Sequence, residues 1–139
     1  MISTSKSDYA LDASALLAVM LNEPGHEKVR AVIHRAFLHS VNMAEVIGKL
    51  VREGVPTAEA EAMIRELGLD IHEELSASHA ALCGELLART RGQGRSLGDC
   101  VCLAMAACAG SVAVTADRQW MNLHGQQLQG RDIRVEAIR

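Results

Sequence analysis

The run S-L-G-D-C-V-C-L-A-M-A-A-C-A-G-S-V-A-V-T-A-D, residues 96 to 117, limits the possible folds more than any other part of the chain. From Leu97 to about Ala109 every side chain except Asp99 is apolar or small, so a helix here has no polar face to offer water and must be buried. Gly110 can stop it, and S-V-A-V-T-A, rich in β-branched residues, is short enough for a buried parallel strand. A buried helix feeding such a strand is half of a β-α-β unit. It calls for a parallel sheet covered by helices on both faces.

The rest of the chain repeats that order. Y-A-L-D-A predicts a first strand, followed by a helix from Ser14 to about Leu21 that Asn22, Pro24 and Gly25 end. A helix in H-E-K-V-R-A-V-I-H-R-A precedes a short strand at F-L-H-S. N-M-A-E-V-I-G-K-L-V-R-E-G is amphipathic, with Val46, Ile47, Leu50 and Val51 on its apolar arc, and T-A-E-A-E-A-M-I-R-E-L-G is its capped neighbour. L-D-I-H-E-E reads as a third strand, and residues 76 to 94 as a long helix capped by Ser76 or Ser78. R-V-E-A-I near the C-terminus supplies a fifth strand. The expectation is a single α/β domain over residues 1 to 139, in three layers around a parallel, roughly five-stranded sheet.

Several function classes are excluded or narrowed. M-I-S-T-S-K-S is polar, and the longest uncharged apolar stretch, residues 100 to 109, is well short of the ~18 needed to span a bilayer, so a cytoplasmic protein with no membrane partner is expected. Cys83, Cys100, Cys102 and Cys108 form no C-x-x-C pair and read as small core residues; with six scattered histidines, zinc is disfavoured. A net charge of -3 cannot draw the chain onto a polyanion, so nucleic-acid contact would need a local basic patch and bound cations. Tyr9, Phe37 and Trp120 are the only rings, too few for a platform stacking successive bases.

Ligands of such folds collect beyond the carboxyl ends of strands where strand order switches. Asp12 ends the first strand and Asp117 follows the fourth, so if those strands are neighbours the two acids share one edge. Asp99 opens the helix that runs back from that edge. Each also has an ordinary explanation: Ser96 to Asp99 is a capping box, Asp117 can cap a short helix at R-Q-W-M-N-L, and Asp12 can begin a turn. Glu45 lies opposite the apolar arc beside Asn42 and Lys49, where a Glu–Lys pair is ordinary surface decoration. Ser14 and Thr115 are equally expected N-caps.

Four stretches, L-D-A-S-A-L-L-A-V-M-L-N-E-P-G (11 to 25), V-N-M-A-E-V-I-G-K-L-V-R-E-G (41 to 54), S-L-G-D-C-V-C-L-A-M-A (96 to 106) and V-T-A-D-R-Q-W (114 to 120), stand in the order and spacing of one family. Through them the chain resembles the PIN-domain ribonucleases, most closely VapC-type toxins of VapBC toxin-antitoxin pairs. The resemblance implies a PIN-like fold and a Mg2+- or Mn2+-dependent endoribonuclease, usually dimeric and silenced by a cognate VapB-type antitoxin. It makes Asp12, Glu45, Asp99 and Asp117 the catalytic acids, with Asp12, Asp99 and Asp117 on the metal and Ser14, Asn42 and Thr115 around them. The leader M-I-S-T-S-K-S is longer than many relatives carry.

Physical chemistry supports a cation independently, since unit charges ~5 Å apart at an effective dielectric of 20 repel by about 3 kcal/mol per pair. Either some of the acids take up protons or a hard divalent ion sits among them. For an RNA substrate, Arg91, Arg95 and Arg118 are the candidate phosphate contacts; Arg89 and Arg91 could instead complement a helix end. Helices 42 to 53 and 57 to 67 offer an apolar surface for an antitoxin segment, or else pack into the core. Two alternatives stay open: a housekeeping PIN nuclease without an antitoxin, and an inactive RNA-binding or scaffold domain whose acids are only helix caps.

Overall fold

A computed structural model describes residues 8 to 139; the leader M-I-S-T-S-K-S lies outside the described residues. Five short strands form one parallel sheet in the order β3-β2-β1-β4-β7, where β1 is Tyr9–Leu11, β2 Ala36–His39, β3 Asp70–His72, β4 Val112–Thr115 and β7 Val135–Ala137. The chain steps outward from β1 to β2 and β3, then returns to the other side of β1 with β4. The switch in strand order therefore falls between β1 and β4, the adjacency on which convergence of the acids depends. Register pairs Leu11 with Val114, and the amide of Asp12 donates to the Val114 carbonyl at 3.1 Å.

Alternation along the strands sends side chains to two separate cores. Ala10, Phe37 and Ala113 meet α5 (Ala77–Arg89) and α6 (Leu97–Ala109) on one face. Leu11, Leu38 and Val114 meet α1 (Ala13–Met20), α2 (His26–Val32), α3 (Ser40–Arg52) and α4 (Thr57–Glu66) on the other. Strands buried on both faces carry apolar residues at every position, which is why they read as short unbroken apolar runs. α6 is buried along nearly its whole length and ends at Gly110, whose φ of 68° places it in the left-handed region that glycine enters without strain. Among the described residues no helix is long and apolar enough to cross a membrane.

Several expectations change in detail. The second helix stops at Val32, and a 3-10 turn over Ile33–Arg35 carries the chain into β2. Ser76, not Ser78, caps α5, with His79 closing the box; α5 ends at Arg89 rather than Gly94. The buried stripe of α3 is Asn42, Met43, Val46 and Leu50, while Val51, assigned to the apolar arc, is 42 % exposed. A hairpin of β5 (Gln127–Leu128) and β6 (Arg131–Asp132) was not expected; it buries Leu128 beside α5 and α6. Cys83, Cys100 and Cys102 are buried free thiols, and Cys108 is only partly covered.

Candidate active site at the carboxyl edge of the sheet

Asp12 is the N-cap of α1 and sits where β1 ends, with only 3 % of its surface exposed. Its Oδ1 accepts from the Ala15 amide at 2.8 Å, its Oδ2 accepts from the Thr115 hydroxyl at 2.7 Å, and the Ser14 hydroxyl lies 2.8 Å and 3.0 Å from the two oxygens. Thr115 and Ser14 are in turn oriented by backbone: the Asp117 amide donates to Thr115 Oγ1 at 3.0 Å, and the Ala116 amide to Ser14 Oγ at 2.9 Å. Both hydroxyls therefore bond the Asp12 carboxylate, and neither acts as a helix N-cap. Burial nonetheless pushes the Asp12 carboxyl up to about 6, against these hydrogen bonds and with the charge of Asp99 adding to the rise.

Asp99 arrives from α6. The capping box forms, with the Asp99 amide donating to Ser96 Oγ at 3.1 Å and the Ser96 amide to Asp99 Oδ2 at 3.0 Å. Asp117 caps the 3-10 turn Arg118–Leu123 through Oδ1, which accepts from the Gln119 amide at 2.9 Å. The capping readings are therefore correct, and they do not compete with a functional one, because all three aspartates and Glu45 wall a single cavity of about 310 Å³.

Glu45 reaches that cavity by a route the helical wheel could not show. Lys49 pairs with Glu53 at 3.1 Å rather than with Glu45, and Glu45 Oε1 accepts from Asn42 Nδ2 at 3.1 Å. The same Asn42 nitrogen donates to the Gly98 carbonyl at 3.0 Å, tying α3 to the first turn of α6. The Glu45 carboxylate lies against Gly98 so closely that a Cβ there would come within 3.0 Å of its Cδ, Oε1 and Oε2. Partial desolvation, then the charge of Asp99, raise the Glu45 carboxyl above its ordinary value, opposed by the Asn42 hydrogen bond.

The arginines expected to meet phosphate are less uniform. Arg91 and Arg118 are exposed, and Arg95 lies over the Trp120 ring, 5.9 Å from its centroid; none of the three walls the cavity. Arg89 serves the fold, pairing with Glu85 at 2.6 Å and donating to the Gln127 carbonyl at 2.9 Å. The cations that do wall the cavity are Lys49 and Arg52, with Trp120 nearby. Sequence reading missed both, although Glu45, Lys49 and Arg52 stand at i, i+4 and i+7 and share a helix face. The apolar stripes of α3 and α4 are spent largely on the core, in Met43, Val46, Leu50, Ala60 and Ile64. An open groove of about 350 Å³ remains between α1, α2 and α4, lined by Val19, Met20, Met63 and Leu67 with Arg30 and Glu66.

Among the described residues, no three His, Cys, Asp or Glu side chains form a ready-made metal cage. The donor set does fit a hard divalent ion: it is all oxygen, free of cysteine and histidine, and its two upward-shifted carboxyls both feel Asp99.

The PIN domain family model matches residues 9 to 125. No curated protein sequence matches the chain. Solved structures do. One chain of the DNA-bound VapBC from Salmonella typhimurium superposes with a TM-score of 0.68 at 20% identity, over 95% of this chain and 98% of that one. One chain of VapBC2 from Rickettsia felis, bound to a promoter DNA fragment, gives 0.66 at 14% identity over 93% and 97%. VapBC-1 from nontypeable Haemophilus influenzae gives 0.65 at 17% identity over 94% and 97%.

Proposed function

Because this chain belongs to the PIN domain family, we propose that it is a Mg2+- or Mn2+-dependent endoribonuclease and the toxin member of a VapBC-type pair. The observation that carries the reading is the meeting of Asp12, Glu45, Asp99 and Asp117, from four separate parts of the chain, at one cavity. The carboxyls of Asp12 and Glu45, pushed upward by burial and by the charge of Asp99, are groups that a nearby positive charge would stabilise in the ionised form.

Asp12 and Asp99, with Asp117 directly or through water, are the residues that would hold the ion; bound there, it would neutralise phosphate charge and lower the pKa of a water. Ser14 and Thr115 keep the Asp12 oxygens turned to fixed positions by donating to them. Asn42 holds Glu45 beside Asp99. Glu45, whose raised pKa moves it toward a useful proton acceptor, orients the attacking water and takes its proton as the water adds to phosphorus in line, while the opposite bond from phosphorus to a ribose oxygen breaks and that oxygen takes a proton from solvent. No covalent enzyme intermediate is required.

Regulation follows from the partners that the similar structures contain. A VapB-type antitoxin segment fits the groove between α1, α2 and α4, whose apolar floor is edged by one cation and one anion. A homodimer in the cytoplasm is the expected assembly. The capping bonds of Asp12, Asp99 and Asp117 are equally expected of a second reading, an inactive scaffold in which the acids only cap helices. The two differ in one measurement. Purified free of contaminating nuclease, the parent protein should cleave RNA in Mg2+, and Asp12→Asn should cut at least about 100-fold more slowly, the upper range for loss of a group supporting a metal. No cleavage by the parent in Mg2+ would leave the scaffold reading.

A further inference from the structure

Four acids wall a cavity meant for a polyanion, and even with a divalent cation among them the pocket does not attract a strand bearing one negative charge per nucleotide. Something beside the acids must meet the flanking phosphate. The molecule as a whole does not, with a net charge of -3. Lys49 and Arg52 are the cations on the cavity wall. They follow Glu45 on one face of α3, about 6 Å and 10 Å further along the helix axis.

Both are available. The partner of Lys49, Glu53, forms a solvent-exposed pair with side chains 42% and 53% exposed, the weak kind that a phosphate displaces readily. The Arg52 side chain makes no hydrogen bond or ion pair with the described residues, in contrast to Arg35, Arg65 and Arg89, each held by an acid. The competing position for a phosphate contact, Arg95, is parked over Trp120 and bonded to Gln93 at 3.2 Å.

We infer that Lys49 and Arg52 form a subsite for the phosphate next to the scissile one, so that the RNA strand leaves the acidic cavity along α3. The inference rests on the nuclease reading above. Guanidinium and ammonium groups here read the backbone rather than the bases, so the subsite positions the strand and contributes no sequence preference. Their place in the last turn of α3 also suits the helix dipole, a role that would register in stability and leave the salt dependence of binding alone.

The test uses a short fluorescein-labelled single-stranded RNA and the Asp99→Asn chain in Mg2+, with fluorescence anisotropy measured across a salt series. Adding Lys49→Ala and Arg52→Ala should weaken binding about tenfold at low salt and reduce the slope of log K against log salt by about 0.7, the value for one neutralised phosphate on a single strand. Lys49→Arg with Arg52→Lys should restore the slope. Lys28→Ala with Arg131→Ala, the same charge change away from the cavity, should not alter it. In the cleaving parent the double alanine variant should raise KM more than it lowers kcat. An unchanged slope, an equal loss in the off-cavity control, or no measurable RNA binding would overturn the subsite. If Asp99→Asn still cleaved RNA at the parent rate, the nuclease reading would fall, while the anisotropy slopes would still judge the subsite.

Discussion

At the residue scale, Asp12 carries the sharpest physical signature. Its folded-state pKa of about 6 lies above the ordinary 3.8, so between those values the folded chain holds a proton that the unfolded chain releases. Without metal, stability should therefore rise as pH falls through 6 and level off below 3.8, by about 3 kcal/mol at most. Urea denaturation in EDTA across that range checks it; Asp12→Asn should flatten this part of the pH dependence. Gly98 yields a second expectation. Alanine there suits a helix by about 1 kcal/mol, yet its Cβ would take the space of the Glu45 carboxylate. Gly98→Ala should keep the parent melting temperature and lose cleavage to the level of Glu45→Gln; parent-like cleavage would show that Glu45 need not rest on that turn.

At the scale of elements, two helices deliver acids to the cavity by different means. α6 is legible because its apolar length, Ser96 cap and glycine stop all say the same thing, and the cap also fixes Asp99 through the Ser96 amide. Ser96→Ala should cost about 1 kcal/mol in denaturation experiments, because the Asp99 amide loses its acceptor, and should leave Mn2+ binding measured by calorimetry near the parent value, because the amide that restrains the Asp99 carboxylate belongs to the backbone and remains. α3 is harder to read. Its polar flank looks solvated on a helical wheel, but that flank faces the first turn of α6, and Asn42, polar and 1% exposed, bridges the two. Periodicity separates buried from exposed sides of a helix; it cannot tell a flank in water from a flank that walls a cavity. The start of α3 is set by another polar residue, His39, whose Nδ1 accepts from the Val41 amide while its Nε2 donates to the Glu74 carbonyl.

For the whole molecule, a divalent ion held in the proposed carboxylate site would couple its binding to folding. A divalent ion that binds only the folded state at 100 times its Kd should add about 2.7 kcal/mol. Mn2+ should therefore raise the melting temperature of the parent, and Asp99→Ala should lose most of that rise; an equal rise in both would place the ion elsewhere. Much of this architecture is written in local chemistry. Unbroken apolar runs define strands buried on both sides, small apolar residues without a polar stripe define α6, and Ser96, Gly110 and Asp117 mark element ends, because capping and periodicity act over a few residues. Tertiary structure alone decided that Asp12, Glu45, Asp99 and Asp117 share one cavity, that Glu45 rests on Gly98, and that Lys49 and Arg52 rather than the 91-to-95 loop stand on its wall. Those relations depend on which strands pair across the sheet and which helix flanks face each other, and such long-range choices are made by the packing of the whole core rather than by any neighbouring residue.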